Sequence, residues 1–255
     1  MTVPGAETLT HLDVSGRSIA VRAIPGQGPG VFWLGGFKSD MMGGKAQALA
    51  EWAARRGQAY VRFDYSGHGE SAGRFEDGTI SQWLEDACAV FEAKTSGPQI
   101  LVGSSMGGWM ALLLARALAA RGEKRLAGLV LIAPAPDFTE TLMWARFAPE
   151  VRERILATGR FERPSDYSDE PYIITRALIE DGRNHLVLGQ PFSVGCPVRI
   201  LQGVLDTDVP WQHAMSLVSC LAEDDVVFTL VKDGDHRLSR PEDLERMIGA
   251  VEGLL

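Results

Sequence analysis

The stretch Ile100-Leu101-Val102-Gly103-Ser104-Ser105-Met106-Gly107-Gly108-Trp109 decides how this chain folds. Ile100 to Val102 is a short apolar run that predicts a buried strand. Trp109 to Ala120 is apolar on nearly every side, which predicts a buried helix. Between them, Gly103, Ser105 and Gly107 form G-x-S-x-G at a strand-to-helix turn. A residue at such a turn has a strained backbone and projects its side chain beyond the strand end. Its neighbours two places away on either side must be small so that strand and helix can approach. Ser104 fails this condition, because Val102 and Met106 flank it; Ser105 meets it. Ser105 also opens the helix, where negative charge is favoured. A phosphate loop is excluded, since no GK[ST] follows.

Working outward, strand and helix patterns alternate, as in an α/β sheet. The predicted strands are Thr8–Asp13, Ser18–Ala23, Val31–Leu34, Tyr60–Phe63, Ile100–Val102, Leu129–Ile132, Val198–Gln202 and Val226–Val231. The first two are joined by a hairpin turn at Val14-Ser15-Gly16. The predicted helices are Gly43–Arg56, Ile80–Ala93, Trp109–Ala120, Trp211–Leu221 and Leu244–Leu255, the last opened by a capping box at Ser239-Arg240-Pro241-Glu242. The Pro25–Gly30 loop holds GxGxG, but it precedes a strand, so a dinucleotide site is not expected. From Pro134 to about Cys196 the alternation stops. This stretch carries seven arginines and no lysine, with helical patterns near Leu142–Phe147, Pro149–Ala157 and Ile173–Glu180. The expected architecture is therefore a mostly parallel eight-stranded sheet flanked by helices. It forms a single domain over residues 1–255, with a helical lid insertion at 135–195 after the sixth strand.

Composition narrows the function. The 255 residues carry 25 Lys+Arg against 33 Asp+Glu, a net charge of -8 with no basic block. That balance excludes nucleic acid as the main partner, because such binding needs cations for phosphates. No apolar run reaches the ~20 residues of a membrane span. Met1 to Asp13 lacks the marks of a secretory signal or a mitochondrial presequence. Cys88, Cys196 and Cys220 are an odd number without CxxC spacing and read as free thiols in a reducing compartment; the cytoplasm is the expected location. No metal or cofactor is implied.

Serine alone is a poor nucleophile and needs a base held by a carboxylate. In the known proteins that carry such an elbow, the order along the chain is nucleophile, acid, histidine. Three histidines follow Ser105: His185 in the insertion, His213 early in a helix, and His236 in the Asp233-Gly234-Asp235-His236-Arg237 loop after the last strand. His236 is placed to reach back over the sheet edge and is the expected base. The expected acid is Asp206, three residues beyond Gly203 at a strand end. Asp208 is the competing carboxylate, with helix capping as its other role. Asp235 is expected to make hydrogen bonds within its own loop. An oxyanion needs N–H donors. Those expected are Met106, after the nucleophile, and Phe37, in the Gly35-Gly36-Phe37-Lys38 loop.

These residues resemble the α/β-hydrolase-fold serine hydrolases across nearly the whole chain. Arg62-Phe63-Asp64-Tyr65-Ser66-Gly67-His68-Gly69-Glu70-Ser71 is similar to the loop after the fourth strand in that superfamily, where the histidine is structural. Together with Gly36-Phe37-Lys38-Ser39-Asp40-Met41, Gly44-Lys45-Ala46 and the Ser105 elbow, it resembles the branch of the mitochondrial acyl-glucuronide esterases and protein depalmitoylases. The chain departs from the wider superfamily at Gly35, where a histidine often stands. The resemblance implies Ser105, Asp206 and His236 as nucleophile, acid and base. It also implies cleavage of carboxylic esters or thioesters through an acyl-enzyme, the substrate being a small-molecule or acyl-protein ester.

Phe138, Leu142, Met143, Trp144 and Phe147 either roof the site with an apolar lid or anchor the insertion to the body. Lys38 and Trp144 are the candidate substrate contacts. The arginines of the insertion either meet a substrate carboxylate or form a solvated face. The alternatives are a serine peptidase or an acyltransferase of the same fold, or a non-catalytic binding member.

Overall fold

The computed structural model describes residues 5–163 and 172–255. Residues 1–4, the beginning of the stretch read above as carrying no leader, lie outside the described residues. So do residues 164–171 of the insertion and the side chain of Arg163.

Strands β1 (Thr8–Val14) and β2 (Arg17–Ile24) pair antiparallel around Ser15 and Gly16, whose φ values of 51° and 81° suit a two-residue hairpin turn. Then follow β3 (Gln27–Leu34), α1 (Gly44–Arg56), β4 (Gln58–Phe63), α2 (Ile80–Lys94), β5 (Gln99–Ser104), α3 (Met106–Ala120) and β6 (Leu126–Ile132). After a long excursion the chain returns as β9 (Val198–Gly203), α6 (Trp211–Cys220), β10 (Val226–Val231) and α7 (Pro241–Glu252). The eight strands lie in the order β1-β2-β4-β3-β5-β6-β9-β10. Only the β1–β2 and β2–β4 pairs are antiparallel. This is an α/β-hydrolase sheet, mostly parallel as the sequence predicts.

The central strands are largely apolar because both faces are covered. On one face α1 and α7 bury Leu49, Trp52, Met247 and Val251 against Val31, Val102 and Val130. On the other, α2, α3 and α6 bury Trp83, Phe91, Trp109, Leu112 and Leu217 against Phe32, Leu101 and Leu131. Helix α2 starts at Thr79, whose Oγ1 accepts from the Gln82 N–H at 3.3 Å, and α1 stops at Gly57, left-handed at φ 72°.

Three local expectations change. Gln27–Gly30 is strand rather than loop, because the Gln27 and Gly30 amides find the Gly57 and Pro98 carbonyls at 2.8 Å. The cap of α7 is Arg240, not Ser239. Pro241 takes the first helical position, so Asp243 is the residue that reaches back, accepting from the Arg240 N–H at 3.3 Å. Trp211 is preceded by Pro210 as cap, and Asp208 does not cap α6.

The excursion between β6 and β9 is less helical than expected. Thr139–Met143 is a π turn and Trp144–Arg146 a 3₁₀ turn, followed by α4 (Pro149–Thr158). Next comes an antiparallel ribbon of β7 (Arg160–Arg163) and β8 (Tyr172–Thr175), and then α5 (Arg176–Gly182). Ile173 and Ile174 are strand, not helix, as suits consecutive β-branched residues. The helix begins only after Thr175, whose Oγ1 accepts from the Leu178 N–H at 3.1 Å. Buried Asp137 pins the excursion to the sheet by accepting from the Val187 and Leu188 amides, both at 2.8 Å.

Candidate active site

β5 ends at Ser104 and α3 begins at Met106, so the reversal falls on the single residue Ser105. Its φ of 55° and ψ of -117° are strained for an L-residue. The flanking structure holds it there: the Ser105 N–H donates to the Ile132 carbonyl at 2.9 Å, and the Ala135 N–H donates to the Ser105 carbonyl at 3.1 Å. The two glycines are required by close approach. A Cβ at Gly103 would meet the Gly107 carbonyl oxygen at 2.2 Å, and one at Gly107 the Leu34 carbonyl oxygen at 2.0 Å.

The loops after β9 and β10 bring the other two residues to Ser105. His236 Nδ1–H donates to Asp206 Oδ2 at 2.8 Å, and the Ser105 hydroxyl donates to His236 Nε2 at 3.1 Å. With Nδ1 facing a carboxylate, Nε2 is left as the acceptor. Asp206 is buried and its Oδ1 accepts from the Asp208 and Val209 amides at 3.0 and 2.8 Å. Asp208 thus enters as a backbone donor behind Asp206. Asp206, Asp208 and His236 hold possible ligand atoms within 4.8 Å of one another. Yet both Asp206 oxygens are already taken by hydrogen-bond donors, the pattern of an orienting acid rather than of a metal ligand. Asp235 accepts from the Leu238 N–H at 3.0 Å and stays within its loop. His213 and His185 are spent elsewhere: His213 Nε2 lies 2.8 Å from the Pro136 carbonyl, and His185 Nε2 2.7 Å from Ser81 Oγ.

The loop after β3 runs beside the elbow. A Cβ on Gly36 would lie 3.4 Å from the Ser104 carbonyl oxygen and 3.6 Å from Ser105 Cβ. Met106 opens α3, so its amide is among those with no intrahelical acceptor. Phe37 lines the cavity, and its ring meets Phe75, Trp83, Phe138 and Tyr172 edge-on or tilted. Lys38 has φ 54°, and its amide donates to His68 Nε2 at 3.2 Å. His68 Nδ1–H in turn donates to the Ser66 carbonyl at 3.2 Å. Burial pushes the His68 pKa down to about 4, which keeps Nε2 an acceptor for the loop. The resemblance implies a structural His68; which loop it holds depends on a contact thirty positions away.

These residues open into a cavity of about 770 Å³. Phe138, Leu142, Met143 and Phe147 of the excursion, with Phe161, Tyr172 and Ile174 of its ribbon, make an apolar wall. Lys38 lines it too, its ammonium 5.3 Å from the Tyr172 ring centre. Trp144 does not line the cavity. Its ring is taken by the guanidinium groups of Arg152 and Arg183, at 5.7 and 5.1 Å. Several arginines of the excursion are likewise spent locally: Arg176 on Glu180, Arg183 on Glu140 and Arg154 over Phe161. Among the described side chains of the excursion, Arg146 is the arginine that lines the cavity, its Nη1 3.4 Å from the Asp208 carbonyl oxygen. Lys45, half-buried, donates to the Arg237 carbonyl and to Ser239 Oγ, tying α1 to the loop of His236; burial pushes its pKa down to about 8.

Residues 40–181 match the family described as serine aminopeptidase, S33 (Hydrolase_4). The chain is 37% identical over 239 residues to the mitochondrial palmitoyl-protein thioesterase ABHD10 of Mus musculus, covering 93% of this chain and 79% of that protein. The chain belongs to the α/β-hydrolase family. The structure of ABHD10 from mouse superposes on this α/β hydrolase with a TM-score of 0.87 at 34% identity, over 97% of this chain and 98% of that one. A crystal structure of a hydrolase from Agrobacterium vitis S4 gives a TM-score of 0.94 at 49% identity, over 98% and 99%. Among the described residues, no helix of this α/β hydrolase is long and apolar enough to cross a membrane.

Proposed function

We propose that this α/β hydrolase cleaves acyl thioesters and carboxylic esters through a Ser105-linked acyl-enzyme. The observation that carries the proposal is the chain of two hydrogen bonds, Asp206 to His236 at 2.8 Å and His236 to Ser105 at 3.1 Å, at a strained elbow opening into an apolar cavity. His236 Nε2 takes the hydroxyl proton as Ser105 Oγ attacks the acyl carbonyl. Asp206 holds the imidazole in the tautomer that permits this and stabilises the imidazolium. The amides of Met106 and Phe37 receive the oxyanion. On collapse the thiol or alcohol leaves with the proton from His236. Water, deprotonated by His236, then attacks the acyl-enzyme and regenerates Ser105.

The segment 135–195 acts as a lid within a single-domain protein, and its apolar wall takes the acyl group. Lys38 and Arg146 bring positive charge to the same cavity. The homology to thioesterases named for palmitoyl-protein substrates supports an acyl-protein or acyl-thiol substrate. The unpaired cysteines suit a reducing compartment, and we place the protein in the cytoplasm. Fractionation of cells expressing the full chain tests this placement, with recovery in mitochondria, where the named relatives reside, as the opposing result.

The test of the activity is a panel of acyl-thiol esters, p-nitrophenyl esters and amino-acid p-nitroanilides, followed by thiol or chromophore release. Thioester and ester turnover that vanishes in Ser105→Ala is expected. Faster release from the anilides would replace the proposal with the aminopeptidase activity for which the matching family is named.

A further inference from the structure

Gln202 is the last side chain of β9 before its terminal glycine, and it is fully buried. Its Nε2 faces three oxygens: the Gly203 carbonyl at 3.2 Å, Asp206 Oδ2 at 3.0 Å and the Val209 carbonyl at 3.0 Å. All three accept, which fixes the amide orientation; the opposite one would set Oε1 against them. Oε1 is buried and has no hydrogen-bond partner among the described residues. The cost of that unpaired acceptor is set against the three hydrogen bonds that Nε2 donates. The side chain that bears it sits directly behind Asp206.

Asp206 shows what it does there. Oδ1 accepts from the two backbone amides of Asp208 and Val209, and Oδ2 from His236 Nδ1 and Gln202 Nε2. We infer that Gln202 is a positioning residue for the catalytic acid: its amide holds Asp206 Oδ2 toward the imidazole of His236 and shares the charge on that oxygen. The inference rests on the triad proposed above. Without this donor, Oδ2 presents more of its charge to His236. The imidazolium is then favoured, and the free base appears only at higher pH. The other charges around the pair are Asp208 on the same loop, Asp235 and Arg237 beside the histidine, Lys45 from α1, Arg146 from the excursion, and Lys38 and Asp40 after β3. Replacing Gln202 leaves all of them in place.

The experiment measures the second-order rate of Ser105 labelling by a fluorophosphonate probe against pH, for wild type, Gln202→Leu and Gln202→Glu. Gln202→Leu is expected to label at least about tenfold more slowly at the plateau, with its acid limb moved to higher pH, in protein that circular dichroism shows to be folded. Gln202→Glu donates to Asp206 while protonated and repels it once ionised, so its profile gains a falling limb that wild type lacks. A Gln202→Leu profile within about twofold of wild type with an unmoved limb would overturn the inference, as would a slowing that merely follows the unfolded fraction. Should Gln202→Leu fail to fold, the absence of the added limb in Gln202→Glu overturns it. Wild type left unlabelled at Ser105 removes the triad itself, whereas labelled wild type with indifferent variants removes only the role of Gln202.

Discussion

The elbow at Ser105 and the excursion between β6 and β9 face each other across one cavity, yet they are built on opposite terms. At the elbow, backbone meets backbone: added carbons at Gly103 or Gly107 would fall at 2.2 and 2.0 Å from carbonyl oxygens, so both positions require glycine. In the excursion, side chain meets side chain: Phe147 lies against Phe161 at 6.1 Å and Trp144 between two arginines. Aromatic and apolar side chains of similar size can exchange in such contacts with little loss. The difference separates chemistry from selectivity. On the proposed mechanism, changes at the elbow and its partners act on the reaction of every substrate, while changes in the excursion act on which acyl group is accepted.

The largest expected effect follows from His236→Ala, which removes the proton acceptor and lowers turnover by roughly 10⁴- to 10⁶-fold without unfolding the protein. Circular dichroism beside thiol release checks both halves. Gly107→Ala comes next. Its Cβ meets the Leu34 carbonyl oxygen rather than a side chain that can move, so a loss of about 3 kcal/mol or more is expected in urea unfolding. Wild-type stability there would show that strand and helix are not in enforced contact.

A third effect belongs to His68, on the elbow's side of the cavity. Its folded pKa of about 4 lies below the ~6.5 of an unfolded histidine. As pH falls, the unfolded chain takes up the proton first. The stability from this group is thus complete above about pH 6.5 and is lost progressively toward pH 4, by an amount on the order of 3 kcal/mol. In His68→Gln that dependence should be missing from the stability–pH curve. The smallest effect belongs to the excursion: Phe147→Ala is expected to lower kcat/KM for long acyl chains by about tenfold and to leave acetyl esters unchanged. Equal losses on short and long esters would break the division between the two regions.

The same contrast explains what was legible in the sequence. Ser105, Asp206 and His236 were readable because a sharp turn, a strand end and a loop before the last helix each constrain nearby residues. The central strands were readable because buried strands are largely apolar, and β1 and β2 because a short turn joins them. The β7–β8 ribbon was not, since Ile173–Glu180 carries apolar spacing that fits a helix as well as a strand followed by one. Trp144 looked like a lid residue by its apolarity, but its partners, Arg152 and Arg183, lie 8 and 39 positions away. Gln202 carried no local signal at all. Its role exists only where β9 and the turn after it fold back on Asp206.

The central claim is that Asp206, His236 and the strained backbone together activate Ser105. Mass-spectrometric mapping of the fluorophosphonate adduct on wild-type protein tests it most directly. A single adduct on Ser105, absent from Ser105→Ala, is the predicted result. A folded protein that takes no label, or takes it on another residue, would contradict the account.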